Sequence, residues 1–302
     1  MHQPSYKKLH ETGELKNRAR ALKERLECCV VCPHHCKVNR LKNERGFCRA
    51  GGAMVIDSYG AHFGEEETLV GLGGSGTIFF SYCTLQCVFC QNCEISHLGE
   101  GYEVSPEKLA AIMLSLQKLG CHNINLVSPT HYAPQIVEAI DHASESGLEI
   151  PIVYNTGGYE ELDTLRLLEG VVDIYMPDIK FGDNDRAKKY TKSARYFDVV
   201  KEAVREMYRQ VGDLKTGDNN IAYRGLLVRH LVMPNNLANT ERIMEFIASE
   251  ISKNTTVNIM AQYFPAHKAL SFEEMSRRIT SQEYRNAVKS AKTMGLERLI
   301  TS

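Results

Sequence analysis

From Gly76 to the C-terminus, short apolar runs alternate with longer stretches in which apolar residues recur at helical spacing. The apolar runs predict buried strands, and the amphipathic stretches predict helices that pack on a sheet. The predicted strands are residues 77–81, 123–128, 150–155, 172–177, 226–232 and 257–263. The predicted helices are residues 106–119, 134–146, 160–168, 198–211, 241–252 and 282–294.

Polar and proline residues mark several helix starts. Ser105 precedes Pro106, Pro134 opens the next helix, and Thr240 and Ser281 precede first turns that contain glutamate. Six alternating strand–helix units predict parallel strands joined by right-handed crossovers. Six units are too few for the usual closed eight-fold barrel, so the sequence predicts an α/β partial (β/α)6 barrel. The reactive residues of such a sheet lie at the carboxyl ends of its strands.

The chain before Gly76 has a different pattern. Residues 6–27 predict one amphipathic helix, and a cysteine-rich segment, residues 28–48, follows it. The glycine-rich run 71–76 lacks the G-x-x-x-x-G-K-[ST] pattern of a phosphate-binding loop. We therefore predict two parts: an N-terminal helix with a small cysteine-rich metal-binding extension, residues 1–75, and the barrel, residues 76–302.

Composition narrows the function. The 302 residues are 43% hydrophobic and 24% charged, with a formal net charge of −1, so neither nucleic acid nor a membrane is an expected partner. The sequence shows no apolar leader and no spanning stretch, which predicts a cytoplasmic protein. Nine of the ten cysteines lie between Cys28 and Cys93. Because disulfides are rare in the cytoplasm, this clustering indicates metal binding.

The most informative cysteines are Cys83, Cys87 and Cys90, which form a C-x3-C-x2-C pattern directly after the first predicted strand. Three thiolates on one loop can hold three irons of a [4Fe–4S] cluster and leave the fourth iron open. An open coordination position is typical of a reactive metal site. The alternative is a closed zinc or structural cluster site in which Cys93 is the fourth ligand.

With Phe89, Gln91 and Asn92 in place, this loop resembles that of the radical S-adenosylmethionine (SAM) superfamily. The resemblance is greatest to the enzymes that activate glycyl radical enzymes, such as the pyruvate formate-lyase activating enzymes. It extends over residues 62–66 and 74–96, and covers most of the chain from about Cys29 onward. It implies reductive cleavage of SAM, a low-potential donor such as flavodoxin or ferredoxin, and a backbone glycine of a partner enzyme as substrate.

The resemblance also implies a SAM site spread over several strand ends. The family usually carries Gly-Gly-Glu after the second strand, whereas this chain has Ser128-Pro129-Thr130-His131, and proline removes one N–H donor. Ser128 and Thr130 can still offer hydroxyl or carbonyl contacts. After the third strand, Asn155 could hydrogen-bond to the ribose or the methionine tail.

The later strand ends supply charged candidates. Asp178 and Lys180 match the Asp-x-Lys motif that helps the activating enzymes to bind SAM, and their spacing places both on one side of a strand. Arg229 suits a carboxylate, and its neighbour His230 is expected to pack against a helix. Further candidates for cofactor binding are Phe89, Gln91, Gln262 and His267.

A second constellation comprises Cys29, Cys32, Cys36 and Cys48, with a C-x2-C-x3-C-x11-C pattern. Four thiolates at such spacing can bind zinc or an iron–sulfur cluster, and a metal-free segment is the third reading. Cys28 could substitute as a ligand, and His34 or His35 could complete a Cys3His site. A metal here would stabilise a small domain that covers the mouth of the barrel or binds a partner protein.

Two other functions remain open at this point. Radical chemistry could act on another peptide, an RNA or a small molecule. The basic residues that could contact RNA are Lys188, Lys189, Lys192 and Arg195, although a solvated helix face explains them as well. A non-catalytic iron–sulfur or zinc protein is the other alternative, and it predicts a closed site with Cys93 as ligand.

Overall fold

The computed structural model describes residues 2–301. The strands are β1 (Met54–His62), β2 (Ser75–Phe80), β3 (Tyr102–Val104), β4 (Ile124–Val127), β5 (Ile152–Thr156), β6 (Ile174–Pro177), β7 (Lys215–Thr216), β8 (Ala222–Leu231), β9 (Thr256–Met260) and β10 (Leu299–Thr301). The α-helices are α1 (Tyr6–Glu11), α2 (Glu14–Glu24), α3 (Glu67–Val70), α4 (Pro106–Lys118), α5 (Ala133–Glu145), α6 (Leu162–Leu167), α7 (Asn184–Thr191), α8 (Tyr196–Val211), α9 (Thr240–Phe246) and α10 (Ser281–Thr293). Two π-helical turns span Glu94–Leu98 and Ile247–Ile251.

The strands form one sheet in the order β10-β9-β8-β6-β5-β4-β2-β1-β3, with β7 paired to β8. The six predicted strands correspond to β2, β4, β5, β6, β8 and β9, and each pairs with its neighbour in parallel. The prediction of an open α/β sheet of the partial-barrel type is therefore confirmed. Parallel pairing brings the carboxyl ends of these strands to one edge, where the predicted site residues lie.

The two faces of the sheet have different surroundings. Alternate side chains such as Leu126 and Tyr154 belong to the large core that the sheet shares with the helices. Residues of the opposite face form a second buried cluster with Leu69 of α3, so this short helix covers the inner face of the sheet. Its members are Leu69, Val153, Ile174, Met176, Leu214, Ala222 and Leu227. Within residues 2–301, no helix is both long enough and apolar enough to cross a lipid bilayer.

Several elements differ from the sequence prediction. The helix predicted over residues 6–27 is divided at Gly13, whose φ of 74° interrupts the helical backbone. The antiparallel strands β1 and β3 were not predicted, although β1 pairs with β2 in the main sheet and β3 pairs with β1. β1 comes from the segment assigned to the N-terminal extension, and the division of the chain at residue 75 stays a prediction.

Candidate active site

The cysteine loop begins where β2 ends. The Leu85 N–H donates to Cys83 Sγ at 3.3 Å, and the Cys90 N–H donates to the Cys87 carbonyl at 3.2 Å. The Ser96 hydroxyl lies 3.1 Å from Cys90 Sγ. The loop therefore presents its three sulfur atoms from a tight, hydrogen-bonded backbone.

Burial controls the ionisation of these thiols. It raises the pKa of Cys83 to about 11 and raises that of Cys87 further, and the neighbouring Cys90 thiol adds to both shifts. Lys180 opposes the shifts through its positive charge. In the described chain, residues 2–301, no group of three or more His, Cys, Asp or Glu side chains is arranged so that it could hold a metal ion. These buried thiols therefore ionise only beside a positive charge such as a metal ion. Their side chains must also rotate to bind that ion.

Two backbone hydrogen bonds anchor the loop just before Phe89. The Gln86 N–H donates to the Thr191 carbonyl at 3.3 Å, and the Val88 N–H donates to the Tyr190 carbonyl at 2.9 Å. The Phe89 ring packs against two other rings, with centroid distances of 5.9 Å to Phe181 and 6.2 Å to Tyr263. Phe89 is buried. Its packing against these rings holds the cysteine loop on the barrel.

Asp178 lies at the centre of a charged network at the strand ends. Its carboxylate accepts from Lys180 Nζ at 2.7 Å and from Arg229 Nε at 2.7 Å. A second Arg229 nitrogen donates to the Asn155 side chain at 2.6 Å. The structure therefore brings together four of the predicted SAM-binding residues, from β5, β8 and the segment that follows β6.

Asp178 stays ionised although burial disfavours its charge. Burial raises its pKa, but Arg229 and Lys180 outweigh that effect and hold the pKa at about 2. Burial lowers the pKa of Lys180, and the attraction of Asp178 reverses the shift and raises it. The network is thus ionised at neutral pH, and it offers both signs of charge to an amino-acid ligand.

Two residues of this network were missed at the sequence level. Glu65 accepts from Arg229 at 3.2 Å, and burial raises the pKa of Glu65 while Arg229 opposes that rise. Glu66 accepts from the Asn258 side chain at 2.7 Å, and its second carboxylate oxygen is buried with no hydrogen bond. Both precede α3, and no pattern in the Gly- and Glu-rich sequence showed that this segment reaches the inner face of the sheet.

The segment that replaces Gly-Gly-Glu divides between two surroundings. Ser128 has a φ of 58°, donates its N–H to the Asn155 carbonyl at 2.8 Å and hydrogen-bonds to the Cys83 thiol. Thr130 lies elsewhere, because its hydroxyl donates to the buried Glu160 carboxylate at 2.6 Å. The structure therefore places Ser128 beside the cysteine loop and does not bring Thr130 to the charged network.

The remaining candidates lie at the rim. Gln91 donates to the Gln262 main-chain carbonyl at 3.4 Å, and the His267 ring lies 4.7 Å from the His97 ring. Burial lowers the pKa of His97 to about 4, and His267, Arg49 and Lys268 add to the shift, as expected of a positively charged rim. His230 points away from this edge and hydrogen-bonds to Thr240 of α9 at 2.9 Å.

The other cysteines occupy distinct places. Cys29, Cys32 and Cys48 are buried and Cys36 is partly buried, all before β1. Cys93 is partly exposed at the start of the π-helical turn Glu94–Leu98, and its thiol hydrogen-bonds to Glu94. The Cys93 thiol also lies near Cys90, which adds to the rise in the pKa of Cys93.

Comparison with known proteins identifies relatives of the chain. The family model of the radical SAM superfamily matches residues 77–233, just over half of the chain. An uncharacterized protein of Methanocaldococcus jannaschii is 34% identical over 279 residues, which cover 89% of this chain and 75% of that protein.

Two solved structures share the fold. SuiB of Streptococcus suis, in complex with its precursor peptide SuiA, matches 73% of this chain at a TM-score of 0.50 and 9% identity. The [FeFe]-hydrogenase maturase HydG of Carboxydothermus hydrogenoformans matches 73% at a TM-score of 0.51 and 13% identity. The match covers 46% of the SuiB chain and 50% of the HydG chain, so this chain spans about half the length of each.

Proposed function

This chain belongs to the radical SAM superfamily, and on that premise we propose that it cleaves SAM reductively at a [4Fe–4S] cluster held by Cys83, Cys87 and Cys90. One observation carries the proposal. The cysteine loop follows β2 at the same sheet edge where Asp178 and Lys180 follow β6, and Lys180 is close enough to lower the pKa of Cys87 against the effect of burial.

The residues present fit the cluster and SAM. Three loop thiols, one supported by the Leu85 N–H, suit a cluster with one open iron. When both are bound, the cluster supplies the electron that breaks a C–S bond of SAM, which yields methionine and a 5′-deoxyadenosyl radical. The protein supplies binding, orientation and electrostatics for this chemistry.

The charged network would hold the amino-acid end of SAM. In this proposal Asp178 accepts from its ammonium group, and Lys180 and Arg229 donate to its carboxylate. Asn155 orients Arg229 through its side-chain oxygen. Ser128, Gln91, Gln262 and His267 are proposed as further SAM contacts around this centre, and Phe89 as the residue that positions the loop.

For the substrate, we propose a backbone glycine of a partner enzyme. The 5′-deoxyadenosyl radical would take one hydrogen atom from the glycine Cα, giving 5′-deoxyadenosine and a glycyl radical. The support is the Asp-x-Lys match at Asp178 and Lys180, together with the resemblance of the cysteine loop to that of the activating enzymes.

The proposed enzyme works in the cytoplasm and receives its electron from a flavodoxin or a ferredoxin. The rim beside the cysteine loop carries the positive charges of Arg49 and Lys268, which add to the effect of burial in lowering the pKa of His97. A positively charged rim favours docking of an acidic electron carrier. A second metal at Cys29, Cys32, Cys36 and Cys48 is also part of the proposal.

The first experiment is anaerobic reconstitution with iron and sulfide, reduction by dithionite in the presence of SAM, and chromatography for 5′-deoxyadenosine. We expect product from the wild type and from Cys28→Ser, an exposed cysteine outside the loop, and none from Cys87→Ala. A filled, reducible cluster that yields no product would overturn the proposal in favour of a closed, non-catalytic site, and Cys93 would then be mutated.

The glycine step needs its own test. Cells of the source organism are grown on glycine deuterated at Cα, and their protein fraction is added to the reconstituted enzyme. Deuterium in the 5′-deoxyadenosine would support abstraction from glycine. Product made without deuterium would retain radical SAM chemistry but move the substrate to another group.

An RNA substrate has little support in the described chain. Lys189 pairs with Glu274, Lys192 donates to the Gln86 side chain, and Arg195 faces Asp198. These basic side chains therefore have partners within the protein, as expected of a solvated surface.

A further inference from the structure

The segment before β1 folds around four cysteines. The Cys29 N–H donates to the Val38 carbonyl at 2.9 Å, and the Lys37 N–H donates back to the Cys29 carbonyl at 3.0 Å. The His35 N–H closes a turn onto the Cys32 carbonyl at 3.1 Å. This hairpin brings Cys29, Cys32 and Cys36 together although they are separated along the chain.

Backbone amides are directed at the sulfur atoms. The Phe47 N–H donates to Cys36 Sγ at 3.2 Å. The backbone of His34 hydrogen-bonds to the Cys32 thiol, and the backbone of Ala50 hydrogen-bonds to the Cys48 thiol. A neutral thiol is a weak acceptor, so three amides placed in this way suit thiolates.

The chain approaches Cys36 so closely that only glycine fits at position 46. A Cβ on Gly46 would lie 2.6 Å from both Cys36 Cβ and Cys36 Sγ. This contact fixes Cys36 beside the turn that carries Cys48. Within residues 2–301 the structure forms no group of three or more His, Cys, Asp or Glu side chains that could hold a metal ion, so a metal at these four cysteines would require their side chains to rotate.

Buried thiolates need positive charge. Arg40 is buried, and its guanidinium lies close enough to Cys48 to act on that side chain through its positive charge. One guanidinium cannot balance four thiolates, whereas Arg40 together with a divalent ion leaves a net charge of only −1.

We propose that Cys29, Cys32, Cys36 and Cys48 bind one zinc ion, and that this zinc-bound segment fixes the conformation of the radical SAM cysteine loop. Both short intervals, C-x2-C and C-x3-C, lie within the range typical of structural zinc sites, and four thiolates close the tetrahedral shell. An iron–sulfur cluster is the alternative occupant.

Two contacts connect this segment to the loop. The His34 Nε2 donates to the Thr84 carbonyl at 2.8 Å, which places the ring proton on Nε2. The His34 ring stacks on Phe47 at a centroid distance of 3.7 Å, and the Phe47 carbonyl accepts from the Gln86 side chain at 3.1 Å. Both contacts reach the interval between Cys83 and Cys87. The role in the loop rests on the proposed function, whereas the zinc site does not.

Metal content tests the zinc site. Full-length protein is purified anaerobically and analysed by plasma mass spectrometry. We expect about one zinc per chain in the wild type, in Cys28→Ser and in Cys87→Ala, and loss of that zinc in Cys32→Ser and Cys48→Ser. Cys87→Ala abolishes 5′-deoxyadenosine formation if the proposed function is correct, so the two failures are distinguishable.

A wild type without zinc, or a Cys48→Ser variant that loses iron instead of zinc, would overturn the assignment. If the cysteine variants do not fold, the wild type is refolded with Co²⁺. The intense visible absorption of a tetrahedral cobalt tetrathiolate would support the site, and its absence would overturn it.

Hydrogen exchange tests the connection to the loop. In His34→Ala we expect the loop amides at positions 86 and 88 to exchange about fivefold faster, since one hydrogen bond and its stacking partner are lost. His142→Ala, on the outer surface of α5, is the matched control and should leave this exchange unchanged. Unaltered exchange in His34→Ala, with zinc retained, would overturn the positioning role.

Discussion

At the scale of single residues, Asp178 connects the two cations of the charged network. It is the shared acceptor of Lys180 and Arg229, and its pKa of about 2 keeps it ionised throughout the pH range of enzyme assays. Its removal would leave Lys180 without its carboxylate partner, and Arg229 with Glu65 alone, at the place where the ammonium group of SAM is proposed to bind.

We predict that Asp178→Asn lowers kcat/KM for SAM by about 100-fold, because a buried charge pair loses one partner. The rate of 5′-deoxyadenosine formation is measured at varied SAM concentrations with the cluster filled. Asp163→Asn is the control, since Asp163 forms only an exposed ion pair with Arg166. An unchanged kcat/KM would remove Asp178 from the SAM site.

Glu160 predicts a pH dependence of stability. Burial raises its pKa to about 7 from 4.5, although hydroxyl groups of Thr130, Thr156 and Tyr154 oppose the rise. Between pH 4.5 and 7 the folded protein holds a proton that the unfolded chain has released, so stability falls as pH rises through this window.

Glu160→Gln should remove this contribution. Relative to the wild type, the variant should gain about 3 kcal/mol in the free energy of unfolding between pH 4.5 and 8. Urea unfolding at a series of pH values measures it, and the exposed Glu145→Gln is the control. A difference between variant and wild type that does not change with pH would contradict the assignment.

At the scale of secondary-structure elements, the last helix shows how capping determines a boundary. The sequence predicted Ser281 as the cap, but the structure begins α10 at Ser281 and places Thr280 at the cap position. The Thr280 hydroxyl accepts from the Glu283 N–H, and the Glu283 carboxylate accepts from the Thr280 N–H at 2.7 Å. This reciprocal capping box satisfies two backbone donors.

We predict that Thr280→Ala lowers the free energy of unfolding by about 1 kcal/mol, since one cap hydrogen bond is lost. Ser281→Ala should change it by less than about 0.5 kcal/mol, because this side chain is exposed at the first helical position. Urea unfolding of both variants decides between them, and a larger effect at Ser281 would contradict the observed cap.

The sequence predicted those strands and helices in which apolar residues recur with a clear periodicity. The six parallel strands are buried apolar runs, and they were found together with the strand ends that carry Asp178, Lys180 and Arg229. β1 and β3 were missed because several of their residues are exposed and polar, which weakens the apolar signal. The single helix predicted at the N-terminus failed because Gly13 adopts a left-handed conformation that composition alone does not reveal.

The sequence predicted those site residues whose charged or thiol side chains follow the ends of predicted strands. Thr130 lies away from the charged network because the backbone turns at Ser128, with its φ of 58°, and its hydroxyl donates to Glu160, so its role in SAM binding stays a prediction. Glu65 was missed because its role depends on a contact with Arg229, 164 positions away along the chain. Such long-range pairing has no local sequence pattern.

At the scale of the whole molecule, Arg40 joins the cysteine-rich segment to the barrel. It is 1% exposed, and two of its nitrogens donate to the Gly51 carbonyl at 3.1 and 2.9 Å. Its third nitrogen donates to the carbonyl of His131, beyond β4, at 2.6 Å. Burial, aided by Arg40, lowers the pKa of His131 to about 3, so this histidine stays neutral next to the guanidinium.

We predict that Arg40→Lys destabilises the protein by about 3 kcal/mol, because an ammonium group cannot make the same forked set of hydrogen bonds and leaves buried carbonyls without a donor. Arg45→Lys, at an exposed position of the same segment, is the control and should have little effect. Equal midpoints of urea unfolding for the two variants would show that Arg40 does not join the two parts.

The open sheet also has consequences for behaviour at high concentration. Within residues 2–301, its two outermost strands, β3 and β10, contain only three residues each, whereas the inner strand β8 contains ten. An exposed strand edge can template pairing with another chain, and a short edge offers few unpaired backbone groups for it. The protein should therefore resist edge-to-edge aggregation without a closed barrel.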